Sequence, residues 1–134
     1  MASILAHITI KPGKERAFED IIRPLFTRSH AEEKALKRYE YWRGQEPGHY
    51  YTLLAFDDYN GFLIHQSSPH HEDAVPALSD VIADIRLEWL DPIQGASPLP
   101  PTAPQPVSDS APDLAKKYAA MIPVAMAGWW TDLR

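Results

Sequence analysis

The sequence has no cysteine. That excludes disulfides, thiolate nucleophiles, zinc fingers and iron–sulfur ligation. It also lacks any run of basic residues: 13 basic against 18 acidic side chains leave a net charge of −5, the wrong sign for a nucleic-acid protein. No stretch approaches the roughly 20 apolar residues of a membrane span. The opening "MASILAHITIKPG" has neither the positive start nor the long apolar core of a signal peptide. These absences predict a soluble, cytoplasmic protein with no nucleic-acid or membrane partner. At 134 residues and 45% hydrophobic content the chain is about one domain long and rich enough for a packed core.

What the sequence has in plenty is proline: 13 in all, seven of them from Pro92 to Pro112. Before that segment the pattern is regular. Ser3–Ile10 is β-branched and apolar on both alternations, which predicts a strand covered on both faces. From Lys14 the period becomes helical, with Ala17, Phe18, Ile21, Ile22, Leu25 and Phe26 on one face. Pro24 predicts a kink or an early end. Leu36–Arg43 and Tyr50–Asp57 read as strands joined by the loop Gly44–His49. Asp58 is a suitable N-cap for a short helix, and Ser68-Pro69 opens another that carries Pro76. Ile85–Ile93 reads as a fourth strand. The order β-α-β-β-α-β is the ferredoxin-like, α+β arrangement. It occupies residues 1–93. Residues 94–134 form a Pro-rich extended linker, then a helix announced by "SAPD" as a capping box at Ser110–Asp113, then "GWWTDLR", read together as a tail that docks on the domain or a partner.

The stretches "ITIKPGKERAFEDII", "LKRYEYWRG" and "YYTLLAFDDYNGFLIHQSSPHHE" resemble the antibiotic biosynthesis monooxygenase family over about residues 3–93. The resemblance implies a ferredoxin-like subunit that pairs through its sheet into a dimeric α+β barrel, with a pocket between sheet and helices. It also implies chemistry without metal or flavin in some members: oxidation of phenols and quinols by molecular oxygen. Two positions depart from the family pattern. Phe56 stands where tryptophan is frequent, and Glu32-Glu33-Lys34-Ala35 replaces a Glu-Pro-Gly-like turn.

Within "HQSSPHHE" the end of one helix carries His65 and the start of the next carries His70 and His71. A helix C-terminus favours imidazolium and an N-terminus disfavours it, so the corner separates histidine pKa values in the way acid–base chemistry needs. The plainer reading is that His65 hydrogen-bonds a backbone carbonyl and fixes the corner, while one of His70 and His71 faces solvent. The irregular spacing predicts no metal site. Arg86, among apolar neighbours, is a candidate for holding a phenolate, since an ion pair with Glu88 must bridge about 6.6 Å along the strand. Candidate catalytic residues are thus His65, His70 and Arg86. Candidate substrate-binding residues are Tyr39, Tyr41, Tyr51, Phe56 and Trp89, with His7 added because a polar residue on this strand lies in the pocket of haem-degrading relatives. An aromatic-lined pocket suits a phenolic, quinol or polyketide-like substrate. Three functions fit: a cofactor-independent monooxygenase, a cofactor-free lyase, decarboxylase or isomerase, and a small-molecule binding protein.

Overall fold

The strand β1 spans Ala2–Ile10 and lies inside the sheet, because its two apolar alternations suit a position flanked on both edges. In the computed structural model, which describes residues 1–134, it is followed by α1 (Glu15–Glu32), β2 (Leu36–Arg43), β3 (His49–Phe56), α2 (Tyr59–Ser67), α3 (Pro69–Val81) and β4 (Ile82–Leu90). The strands form one antiparallel sheet in the order β2-β3-β1-β4. This is the α+β ferredoxin-like fold expected from the sequence.

Register decides which side chains meet the helices. Ile4 pairs with Leu54 and Trp89, Ala6 with Thr52 and Leu87, and Ile8 with Tyr50 and Ile85. These rows face α1, α2 and α3 and hold most of the core. The alternate rows, with His7 between Tyr51 and Arg86, lie on the opposite face, which no helix of this chain covers.

Pro24 does not end α1, which runs on to Glu32. An interior proline costs about 3 kcal/mol. Its neighbours Ile22 and Leu25 are 6% and 4% exposed, and burying such a side chain returns roughly 1.5–3 kcal/mol each, enough to carry the helix through. β4 starts at Ile82 and stops at Leu90, not at Ile93 as the sequence suggested. Asp91 leaves the ladder to accept from the Thr102 backbone N–H at 3.1 Å, and Pro92 has no N–H to donate.

Gly61 fixes the start of α2. A Cβ there would lie 2.7 Å from the Cβ of Ala35, and the Gly61 N–H donates to the Asp58 carboxylate at 2.8 Å, completing the expected N-cap.

The tail packs on this domain. Two short helices follow the Pro-rich segment, α4 (Asp113–Met121) and α5 (Gly128–Asp132). The "SAPD" capping box is not made: Ser110 Oγ meets Ser108 Oγ at 2.9 Å, and Pro112 is the N-cap. Thr102 is fully buried and donates its hydroxyl to the Leu90 carbonyl at 2.6 Å. Ala115 on α4 is 1% exposed and joins the core. No helix is long and apolar enough to cross a membrane.

Candidate active site

One hydroxyl builds the corner between α2 and α3. Ser68 Oγ donates to the His65 carbonyl at 2.8 Å and accepts from the His71 backbone N–H at 3.2 Å. Pro69 fills the first helical position, where its missing N–H costs nothing. The last turn of α2 and the first of α3 are thereby tied together, and three imidazoles cluster.

Glu33, the residue that ends α1, supplies the charge. Its carboxylate accepts from His65 Nδ1 at 2.9 and 3.0 Å and from His70 Nε2 at 2.5 Å. The side chains of Glu33, His65 and His70 are 5%, 2% and 4% exposed. Burial works to raise the Glu33 carboxyl, but the hydrogen bond and charge of His65 and the hydrogen bond of His70 outweigh it, and the group sits below its ordinary value. An anionic Glu33 draws the His65 proton onto Nδ1. Nε2, which has no protein partner, is left as the basic nitrogen.

His65 lines a cavity of about 110 Å³ between the sheet and the helices. Tyr39, Tyr41 and Thr52 face it from the sheet, Phe18 from α1 and His71 from α3. The Tyr39 and Tyr41 hydroxyls are 2.6 Å apart. Burial, reinforced by Tyr41 and by the charge of Glu33, raises Tyr39 well above the usual phenol range. Burial lifts Tyr41 to about 12 against the opposing hydrogen bond from Tyr39. Both therefore stay protonated as neutral donors. The Thr52 hydroxyl is 2% exposed as a residue and has no hydrogen-bond partner. A buried orphan hydroxyl facing a cavity is suited to a polar atom of a ligand.

His71 differs from His65. Burial first, and then the neighbouring His65 charge, lower it to about 4, against the pull of Glu72 and of the Gln66 backbone. The sequence suggested that the helix N-terminus would do this, with one of His70 and His71 facing solvent. Instead the ring stands edge-on to His65 at 5.3 Å and lines the cavity.

The sequence candidates fall into four groups. Tyr39, Tyr41 and His65 come together at the cavity. His70 stands behind Glu33, while Phe56 packs against the His65 ring at 5.4 Å. Trp89 shares the helix-facing side but is taken up by Tyr59 and Phe62 and by its N–H bond to the Pro123 carbonyl at 3.0 Å. His7, Tyr51 and Arg86 are on the wrong face of the sheet for this cavity, because Ile85, Leu87 and the even residues of β1 point into it. His7 Nε2 binds Glu88 at 2.8 Å, and Arg86 reaches the same oxygen at 3.5 Å. The Arg86–Glu88 pair that strand spacing seemed to disfavour is thus made, bridged by a long side chain. Sequence reasoning missed Glu33 and Thr52, and it named His71 in the corner without counting it among the candidates. Thr52 left a signal too: it shares strand parity with Tyr50 and Phe56.

The chain matches the family model described as antibiotic biosynthesis monooxygenase over residues 1–77. Among solved structures it is similar to a Caulobacter crescentus protein assigned to that family, with 22% identity and a TM-score of 0.66 over 69% of this chain and 90% of that one. A Nitrosomonas europaea protein of the same assignment is 16% identical with a TM-score of 0.65, over 69% of this chain and 99% of that one. At these identities the likeness is one of fold. No curated protein matches the chain in sequence.

Proposed function

This chain belongs to the antibiotic biosynthesis monooxygenase family, and from that premise we propose that it is a small monooxygenase that oxidises a single-ring phenol or quinol with molecular oxygen. The observation that carries the reading is His65: Nδ1 is held by buried Glu33 and Nε2 is free in the wall of the aromatic-lined cavity. That arrangement is a general base with its tautomer fixed.

In the proposed reaction His65 Nε2 takes the phenolic proton, and Glu33 stabilises the resulting imidazolium. The phenolate donates electron density from a ring carbon to oxygen, and a carbon–oxygen bond forms. One oxygen atom remains on the ring and the other leaves as water. A phenol becomes a quinone, or a quinol a hydroxyquinone. The ring supplies all four electrons, so no external reductant is needed. The neutral Tyr39–Tyr41 pair and the Thr52 hydroxyl provide partners for substrate oxygens.

Size favours one ring. An apolar cavity on the order of 150 Å³ accepts a benzene, and the cavity here is smaller, about 110 Å³, so one ring is the upper limit and its entry requires the lining side chains to move apart. A fused polyketide would not enter it. We further propose a homodimer through the open face of the sheet, where Trp42 is 59% and Tyr51 39% exposed.

The test is oxygen consumption with hydroquinone and simple phenols, with isotopic oxygen to follow the atom into product. Labelled product from the wild type, lost in His65→Gln, supports the reading. Turnover that proceeds equally without oxygen would replace it with the lyase, decarboxylase or isomerase reading. Saturable binding without turnover would replace it with a binding protein.

A further inference from the structure

The C-terminal extension lies beyond the family match, which ends at residue 77. Nevertheless it reaches the candidate site. Tyr59 Oη donates to the Ile122 carbonyl at 2.8 Å and the Trp89 indole to the Pro123 carbonyl at 3.0 Å, so the end of α4 is fastened to α2 and β4. From α4 the Tyr118 hydroxyl donates to the Glu72 carboxylate, and the Tyr118 ring stands edge-on to His71 at 6.1 Å.

The same Glu72 oxygen is 3.7 Å from His71 Nδ1, too far for a hydrogen bond. That nitrogen is buried and has no hydrogen-bond partner. Glu72 Oε1 therefore accepts from the tail and not from the imidazole beside it. The groups facing His71 are His65 on α2, with Glu33 behind it, Glu72 on its own helix and Tyr118 on α4.

We propose that the tail completes the active site, with Tyr118 as a positioning residue that holds the Glu72 carboxylate off His71 and so keeps a second imidazole beside His65 in the cavity wall. The inference rests on the reading of this cavity as the reaction site. Within it, His65 and Glu33 move the proton, while His71 stays neutral and offers a hydrogen bond to the substrate oxygen without competing for that proton. The extension then sets the chemistry of the cavity from outside it.

The experiment is an NMR titration of the histidine side chains in the full chain, with His71→Gln used to assign the His71 signal. In Tyr118→Phe the freed carboxylate can close on Nδ1, and the His71 midpoint is expected to rise by about one pH unit. In Glu72→Gln the anion is gone, and the midpoint is expected to fall. General loosening of the corner would move both variants upward together, toward an ordinary histidine. That result, or an unchanged midpoint in a folded Tyr118→Phe, overturns the proposal. In the wild type the Tyr118 ring carbon bearing the hydroxyl should shift at the His71 midpoint. Silence there overturns the proposal without needing a variant. None of these readouts uses turnover. A failure of oxygen consumption would strike the monooxygenase reading and leave the titrations standing.

Discussion

His65 Nδ1 lies 2.9 Å from the carboxylate of Glu33, a residue 32 positions earlier in the chain. The pair is buried, and its geometry fixes which imidazole nitrogen can act as a base. Glu33→Gln keeps the shape and removes the charge that stabilises an imidazolium. Oxidation of hydroquinone should fall by about 10²–10⁴-fold in kcat/KM. His65→Gln should fall comparably, and the double variant no further, because the two groups act as one unit. Steady-state oxygen uptake by the three variants checks this. Strictly additive losses would mean that the residues work independently.

Acid stability should show two separable losses. The folded chain holds His71 near 4 whereas the ordinary value is 6.5. Between these limits the unfolded chain binds a proton that the folded chain refuses, so stability declines as the pH falls from about 6.5 to about 4, by up to about 3 kcal/mol. Glu33 has the opposite charge type and a lowered value. Its contribution is complete above its ordinary 4.5 and is lost as the pH falls through its folded value. His71→Gln should abolish the first decline and keep the second. Denaturant unfolding across that pH range measures both, and an unchanged upper decline would assign it to another group.

Fold and site were legible to different depths. Period-two and period-3.6 patterns carry the sheet and the first three helices, because the core faces are made of the same residues that set the patterns. Asp58 and Ser68 announced their helices because a cap is a local device. Glu33 was not legible. It follows a helix as one acidic residue among several, and only the folding of α1 against the α2–α3 corner brings it to two histidines. Arg86 and His7 were placed at a pocket they do not line, for a related reason. Alternation separates a strand into two faces but does not say which face the helices cover, and β1 is apolar on both.

The face assignment makes a negative prediction. Arg86 is on the open side of the sheet, bonded at 3.5 Å to a Glu88 that also binds His7. Arg86→Ala should leave kcat/KM within about twofold of wild type and stability within about 0.5 kcal/mol, as for other exposed ion pairs. Parallel assays and melts check it. A loss of activity that tracks a loss of the dimer would place the residue at the subunit interface, and a loss without dissociation would return it to the reaction site.

Thr52 offers the sharpest separation of stability from function. Its hydroxyl is buried in the cavity wall with no hydrogen-bond partner, so the protein without ligand bears the cost of a desolvated polar group. Thr52→Val has the same shape without the hydroxyl. Unfolding free energy should rise by about 1 kcal/mol, since an unsatisfied group is removed. Affinity for a phenol or quinol should weaken by about five- to tenfold, since a net hydrogen bond of about 1 kcal/mol to the ligand is lost. Calorimetric titration with hydroquinone and denaturant melts of the same preparations give the two numbers. Opposite signs would identify the hydroxyl as a ligand contact that is left unpaired until substrate arrives. A fall in both would mean that Thr52 supports the fold by a contact of its own, and the polar end of the cavity would then rest on Tyr39 and Tyr41 alone.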